Sequence, residues 1–181
     1  MKRLFAYVLA LMMVLSLAAC GGKTAEKTGP EVLDGETTQI PNPWVECSTL
    51  ADAEALAGFD FTVPDAVEGY DGTRYIDAIG HEMIEVIYPG ADDTEDVEST
   101  DPTENSVEVR LRKAPGSEDI SGDYNSYSDE HTAELDGVTV TLRGNDGLVM
   151  TAIWTDGDYA YSITCNGMAE DAVLALAASM H

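Results

Sequence analysis

Four stretches between residues 132 and 165 carry an apolar residue at every second position, which is the strongest structural signal in this sequence. Such alternation places one apolar row on a single face of a β-strand. The first two stretches are separated by Asp136-Gly137 and the last two by Asp156-Gly157, and Asp-Gly pairs favour the tight turns of β-hairpins. The region therefore predicts an antiparallel meander. Its predicted inward rows are Val138, Val140 and Leu142; Leu148, Met150, Ala152 and Trp154; and Tyr159, Tyr161, Ile163 and Cys165.

Four further strands are predicted nearer the start of the chain. The most regular is SVEVRLRK, in which apolar and charged residues alternate from Val107 to Arg112. The four predicted strands are at 59–64, 73–79, 82–88 and 106–113. In the last of them the predicted inward residues are Val107, Val109 and Leu111, and the outward ones are Glu108, Arg110 and Arg112.

Two amphipathic helices flank the predicted strands. Thr49 and Asp52 have capping-box spacing and Gly58 supplies a stop signal, so a short helix is predicted from about 49 to 57. A second helix is predicted within 168–180. Because an antiparallel sheet needs one covered face, the predicted fold class is α+β: a mostly antiparallel sheet of about eight strands covered by the N-terminal and the C-terminal helix. The alternative is a half-barrel with the helices in its concavity.

The first 20 residues have the layout of an export signal. Lys2 and Arg3 precede an apolar run at 4–17, which is shorter than the roughly 20 residues that span a bilayer as a helix. Leu-Ala-Ala-Cys follows and resembles the bacterial lipoprotein signal, in which the cysteine becomes the first residue and carries a diacylglycerol. The alternative is an ordinary secretory signal with a chance cysteine. We predict lipid anchoring through Cys20 on the extracytoplasmic face of the cell membrane, since two acyl chains give stable attachment.

Three segments follow from these signals. Residues 1–19 are the predicted lipoprotein signal peptide, and residues 20–42 are the lipidated cysteine and a flexible tether rich in Gly, Thr, Pro and charge. Residues 43–181 are predicted to form a single α+β domain, a length sufficient for one hydrophobic core.

Acidic residues dominate the charge of the chain, with 34 Asp and Glu against 9 Lys and Arg and a formal net charge of −25. Binding to nucleic acid depends on clustered Lys and Arg, so the composition excludes it as a predicted function. The same excess of acidic residues is compatible with the binding of cations or of basic partners. The plainer interpretation is a solvated acidic surface that keeps the domain soluble.

Two cysteines remain once Cys20 is lipidated, Cys47 and Cys165. In an exported protein they fit a disulfide bond, and they fit equally well two small buried apolar residues. The sequence does not show whether their Cα atoms come within bonding reach, so both interpretations stay open.

Two long polar segments, 89–105 and 114–131, interrupt the strands. Loops carry function more often than cores do, and the second segment contains Tyr124 and Tyr127, whose apolar bodies and polar tips suit a recognition surface. Arg110 and Arg112 share the outward face of one predicted strand. We consider these four residues candidates for partner binding. The alternatives are that a tyrosine only pins the loop to the sheet and that the arginines pair with acids on neighbouring strands.

Catalytic and metal-binding patterns are incomplete in this sequence. His81-Glu82 lacks a second histidine four residues after the first, because residue 85 is Glu. Residues 123–134 have the length of a calcium loop, but a tyrosine and a serine occupy positions that need a ligand and a glycine. Irregular calcium binding by this segment or by 92–96 stays open. No cofactor and no metal ligand set are predicted.

Nucleophilic catalysis has equally weak support. His131 follows two serines in a loop that lacks a strand-turn-helix nucleophile elbow. Cys47 precedes a predicted helix, whose N-terminus lowers a thiol pKa, but His81, His131 and His181 are its only possible bases. No catalytic residue is predicted, and the chain is not expected to be an enzyme.

Four stretches of the chain carry a family resemblance: NPWVECSTLADAEALAGFDFTVP, GHEMIEVIY, EDISGDYNSY and AIWTDGDYAYSI. Together they resemble the domain-of-unknown-function family 4367, which is carried by exported bacterial lipoproteins and anti-sigma-factor ectodomains. The most specific part is the last, with Trp154, Asp156-Gly157, Tyr159, Tyr161 and Ser162. The resemblance covers roughly 43–180 and implies an extracytoplasmic sheet-and-helix domain, without catalytic residues to transfer.

The predicted function is a membrane-anchored extracytoplasmic lipoprotein that binds a protein or envelope partner or senses the envelope. The first alternative is a carrier of an apolar ligand in a cavity between sheet and helices. The second alternative is a hydrolase.

Overall fold

A computed structural model describes residues 42–70, 72–90 and 108–181. The predicted signal peptide, Cys20, most of the tether and the acidic segment 92–96 lie outside the described residues. Helix α1 is Leu50–Ala57 and helix α2 is Glu170–Ala178. The strands are β1 Val45–Glu46, β2 Tyr75–Ile79, β3 Met83–Pro89, β4 Glu108–Pro115, β5 Asp129–Leu135, β6 Val138–Asn145, β7 Leu148–Asp156 and β8 Tyr159–Met168. Neither helix is long and apolar enough to cross a membrane.

All eight strands form one open antiparallel sheet in the order β1-β2-β3-β4-β8-β7-β6-β5. The chain makes two four-stranded meanders, β1 to β4 and β5 to β8, which meet where β4 pairs with β8. Leu111 faces Ile163 at this junction. The predicted antiparallel sheet of about eight strands with two helices is confirmed, and β1 and β5 are its edge strands.

The predicted strand at 59–64 is wrong. Its backbone is extended but finds partners outside the sheet: the amide of Phe61 donates to Glu54 Oε1 at 2.8 Å, and the amide of Thr62 donates to the carbonyl of His181 at 2.7 Å. The alternation in FDFTVP reflects the burial of Phe61 beside α1 rather than pairing with a strand. The eighth strand of the sheet is instead β1, which has only two residues and is therefore too short to show an alternating pattern.

The predicted helix ends and the predicted turn at Asp136-Gly137 are confirmed. The second turn, predicted at Asp156-Gly157, lies one residue later at Gly157-Asp158, because Asp156 pairs with Tyr159 in the sheet. Asp136 and Gly137 have φ values of +51° and +88°, which is the left-handed backbone that a two-residue hairpin turn requires. The Thr49 hydroxyl accepts a hydrogen bond from the amide of Asp52 at 3.2 Å, so Thr49 caps α1. Gly58, with φ of +83°, ends that helix.

One core joins the apolar rows of the sheet to side chains of both helices. Phe61 and Ile163 are fully buried in it, and the rings of Trp154 and Tyr161 stack with 5.3 Å between centroids. From α1 the core takes Ala53 and Ala57, and from α2 it takes Val173, Leu176 and Ala177. Side chains of both helices therefore share one buried core with the apolar rows of the sheet.

Lys113 is an unexpected member of the inward row of β4. Its ammonium donates to the carbonyl of Asp60 at 2.7 Å and lies 4.6 Å from the ring centroid of Tyr159 and 5.2 Å from that of Tyr161. Burial lowers the pKa of Lys113, and the nearby charges of Asp60 and Glu54 oppose that shift. Two aromatic faces and one carbonyl replace the water that a lysine normally keeps.

Candidate functional site

The connection from β4 to β5 has to cross the sheet, because β4 lies at its centre and β5 at its far edge. Residues 116–128, which we call the crossing loop, hydrogen-bond to side chains on β4, β6 and β7. Those side chains alternate along their strands with core residues, and successive strand residues point to opposite faces. The crossing loop therefore lies on the sheet face away from the core. The strand side chains that hold it are Arg112, Arg143, Asn145 and Thr151.

Arg112 joins three parts of the domain. Its Nε donates to Glu85 Oε2 at 2.5 Å, and its Nη1 donates to the carbonyl oxygens of Ile120 and Ser121 at 2.9 and 2.8 Å. Its guanidinium carbon lies 5.8 Å from the ring centroid of Trp44. Only 12% of the side chain is exposed. Arg112 is thus engaged inside the domain, where it pairs with an acid on a neighbouring strand.

Gly122 allows the crossing loop to lie against Arg112. Its φ of +69° is left-handed, and a Cβ at this position would lie 2.6 Å from Arg112 Nη1. A residue with a side chain rarely adopts that backbone, and it would also displace the guanidinium. The position therefore requires glycine for two independent reasons.

Asp119 organises the first half of the crossing loop. Ser121 donates to Asp119 Oδ1 from its amide at 2.9 Å and from its hydroxyl at 2.6 Å, and Arg143 donates to Asp119 Oδ2 at 2.8 Å. Burial acts to raise the pKa of Asp119, but the hydrogen bonds from Ser121 and Arg143 outweigh it and hold that pKa below its ordinary value. The ionised carboxylate is the form that these donors favour.

Asp123 organises the second half in the same way. The hydroxyls of Thr151 and Tyr127 both donate to Asp123 Oδ2, and the amide and side chain of Asn125 donate to Oδ1 at 3.0 and 2.8 Å. Burial acts to raise the pKa of Asp123, and these hydrogen bonds outweigh it, so the pKa lies below its ordinary value. Both carboxylate oxygens take hydrogen bonds from the protein itself.

Tyr124 projects from the middle of this fixed loop. Its side chain is 97% exposed, although the residues on either side of it, Asp123 and Asn125, are hydrogen-bonded to each other. Tyr75, an exposed aromatic on the same sheet face, is 54% exposed. The loop therefore presents one aromatic side chain to solvent on a fixed backbone.

Arg110 lies beside Arg112 on the same face. Its Nη2 donates to Glu108 Oε1 at 2.5 Å, and its Nε lies 3.4 Å from Glu85 Oε2. Arg110 Nε is buried without a hydrogen-bond partner in the described residues, and so are the hydroxyls of Ser162 and Thr164 on the adjacent strand β8. These three atoms form a polar patch beside the crossing loop.

The four candidate residues of the sequence analysis fall into two groups. Arg110, Arg112 and Tyr127 lie on one face and are engaged by neighbouring acids or by the loop, whereas Tyr124 is exposed. Sequence reasoning missed Asp119 and Asp123 as the residues that fix the loop. Asp side chains in turns often accept a hydrogen bond from the backbone amide two residues later, so the two acids in this polar segment were a usable signal.

The two cysteines are free thiols, so the possible Cys47–Cys165 disulfide is not formed. Cys47 follows β1, which is four strand positions from β8. At about 4.8 Å per position this separation greatly exceeds the roughly 4.4–6.8 Å between the Cα atoms of bonded cysteines. Burial raises the pKa of Cys165 to about 11. Burial and the charges of Asp52 and Asp77 raise that of Cys47, the opposite of nucleophile activation.

The loop histidine of the sequence analysis pairs with an acid of α2. His131 Nε2 lies 3.0 Å from Glu170 Oε2 at the start of α2, and its contact is with that acid rather than with the loop serines. In the three described ranges, no group of three His, Cys, Asp or Glu residues is placed to hold a metal ion.

The sequence matches no protein-family model, no curated protein and no solved structure. The family resemblance stays a prediction.

Proposed function

We propose that the chain is a lipid-anchored extracytoplasmic binding module that recognises a protein or envelope partner through the crossing loop and Tyr124. The anchor is the predicted diacylglycerol on Cys20, and the tether from 20 to 42 gives the domain access to partners near the membrane surface. The two helices cover one face of the sheet in this proposal, which leaves the face of the crossing loop for recognition.

The observation that carries the proposal is the exposure of Tyr124 on a loop whose backbone is already fixed. Ordering a flexible loop on binding reduces affinity, and a loop held in advance avoids that loss. Tyrosine is among the residue types that contribute most to binding interfaces, because its ring is apolar and its hydroxyl is polar. Because Tyr124 is 97% exposed, its ring is available for recognition without any rearrangement of the loop.

The two alternatives have less support. An apolar-ligand carrier needs a cavity between sheet and helices, where side chains of both helices share one buried core with the sheet. An apolar groove of about 470 Å³ does exist, but it is lined by α2, residues 64–68 and Met168 rather than by the apolar rows of the sheet. A hydrolase needs an activated nucleophile with a base, and the raised thiol pKa of Cys47 disfavours the cysteine candidate.

The proposal is tested by crosslinking the full-length chain to its neighbours in intact membranes. We expect Tyr124→Ser to lose a crosslinked partner that the unaltered chain captures. The matched control is Tyr75→Ser, which removes a second exposed tyrosine of the described residues on the same face and should retain that partner. Equal capture by the unaltered chain and by Tyr124→Ser would contradict the proposal.

A further inference from the structure

The strand β5 is a long exposed edge of the sheet. It spans Asp129–Leu135, and no strand in the described ranges pairs with its outer side. The opposite edge, β1, has only two residues. Edge strands present unpaired N–H and C=O groups, so another extended chain can be added to them by main-chain hydrogen bonds. The β5 edge is long enough to accept such a strand.

The hairpin turn fixes which backbone groups of β5 point outward. The two-residue turn at Asp136-Gly137 makes Leu135 and Val138 a hydrogen-bonded pair. Hydrogen-bonded pairs recur at every second residue, so the backbone groups of Glu130, Thr132 and Glu134 face away from β6. All three residues are exposed.

The side chains of the same three residues define the partner by charge. They lie on the face of the crossing loop, where Glu130 accepts a hydrogen bond from Arg143 at 3.0 Å and Glu134 accepts one from Thr139 at 2.8 Å. The side chain of Glu130 is still 63% exposed, so it has room for a second cation. On the opposite face β5 offers Ala133 and Leu135, which are partly buried apolar residues.

We propose that β5 accepts an extended peptide segment of another protein in which basic and apolar residues alternate. Its Lys or Arg residues lie opposite Glu130 and Glu134, where opposite charges on directly paired positions are favourable. Its apolar residues lie on the other face, beside Ala133 and Leu135. This surface is separate from Tyr124 and does not depend on the function proposed above.

A second copy of the chain is a poor occupant of this edge. An antiparallel pairing of two β5 strands centred on Thr132 places Glu130 of each strand opposite Glu134 of the other. Like charges directly opposite each other are destabilising. The formal net charge of −25 adds to the repulsion between copies and favours a basic partner.

The probe for this proposal is a synthetic seven-residue peptide that alternates Val with Lys, and its matched control carries Glu in place of Lys. We expect fluorescence anisotropy to show binding of the Lys peptide, and not of the Glu peptide, to the full-length chain in detergent. Changing both Glu130 and Glu134 to Lys should weaken binding of the Lys peptide by about tenfold or more, as an attractive charge pattern becomes repulsive.

Two further variants separate strand addition from simple charge attraction. A Lys peptide with methylated backbone nitrogens keeps its charge but cannot donate to β5, and we expect it not to bind. Thr132→Pro removes an outward N–H while leaving the β5–β6 ladder intact, so it should fold normally by circular dichroism and lose the peptide. Equal binding of the methylated and unmethylated peptides, or no binding of the Lys peptide, would overturn the proposal.

Discussion

Thr151 and Thr164 lie directly opposite each other on β7 and β8, and only one of their hydroxyls has a partner. Thr151 donates to Asp123 of the crossing loop, whereas the hydroxyl of Thr164 is buried without a hydrogen-bond partner in the part of the chain that the structure describes. A buried polar group left unpaired costs about 1–3 kcal/mol. The same substitution at these two neighbours should therefore have different effects.

Thr164→Val is expected to leave the free energy of unfolding unchanged or to raise it by up to about 1 kcal/mol, because it removes an unpaired hydroxyl and keeps the shape. Thr151→Val should lower it by about 1–3 kcal/mol, because Asp123 loses a donor. Urea unfolding of both variants measures the difference. Equal losses at the two positions would show that Thr164 has a partner after all.

The crossing loop should become less stable in acid. The pKa of Asp123 is held below its ordinary value, so its stabilising effect is present above the unfolded-state pKa of about 3.9 and is lost as the pH falls through the lower folded-state value. At pH 7 we expect Asp123→Asn to be less stable than the unaltered chain by about 1–3 kcal/mol. This gap should shrink in urea unfolding below about pH 3.9.

Asp77 provides a control, because its pKa is shifted in the direction opposite to that of Asp123. Burial and the charges of Glu85 and Glu46 raise the pKa of Asp77, so its contribution to stability is greatest at low pH and is lost as the pH rises through the folded-state value. Asp77→Asn should therefore stabilise the protein at pH 7, by about 0.2–1 kcal/mol for relief of cross-strand repulsion. If both Asp→Asn variants shift stability in the same direction at pH 7, the assigned environments are wrong.

Gly122→Ala should cost more than an alanine placed at a similar glycine elsewhere. Gly147 has a comparable φ of +76°, but a Cβ added there would meet no atom of the described residues within 4 Å. Gly147→Ala therefore reports backbone strain of about 1–2 kcal/mol alone, whereas Gly122→Ala adds the displacement of Arg112. We expect a larger loss of unfolding free energy and faster proteolysis of the crossing loop. Equal losses for the two variants would mean that Arg112 moves aside at no cost.

The two thiols should differ in reactivity. Cys165 is buried, with its pKa raised to about 11, so it should react with an alkylating reagent only after unfolding. Cys47 is partly exposed and should be labelled in the native protein, slowly because its pKa is also raised. Peptide mass spectrometry before and after denaturation measures both. A Cys47–Cys165 linked peptide under non-reducing conditions would contradict the free thiols.

Cys20→Ser should release the protein from membranes or leave it misprocessed, because the sulfur that carries the diacylglycerol is gone. The fold of 43–181 should be unchanged. Membrane fractionation of the full-length chain tests this, with Cys47→Ser as the matched control that stays bound. A Cys20→Ser protein that remains lipid-modified and membrane-bound would disprove the predicted anchor.

Local features of the fold could be predicted from the sequence because their physical causes are local. The rows of Val140 and Leu142 and the turn at Asp136-Gly137 follow from side-chain alternation and from backbone preferences within a few residues. The same holds for the cap at Thr49 and the stop at Gly58. Each of these signals lies inside the element that it specifies.

Features that depend on distant partners could not be predicted in this way. The amide of Phe61 is satisfied by Glu54, and that of Thr62 by His181, so the alternation of FDFTVP gave the wrong element. The engagement of Arg112 by Ile120 depends on the far-edge position of β5, which no local pattern contains. Lys113 is buried because its ammonium lies over the rings of Tyr159 and Tyr161, which are distant from it in the sequence.

The pairing of β4 with β8 has a consequence for how the chain reaches its native state. β5 to β8 are consecutive hairpins, whose contacts form quickly because their partners are close in sequence. Pairs across the β4–β8 junction, such as Leu111 with Ile163, join residues far apart in the chain. Forming this junction therefore costs more chain entropy than forming the hairpins does. The turns after β5, β6 and β7 have two residues each. We therefore expect the C-terminal meander to form first and the β4–β8 junction to close last.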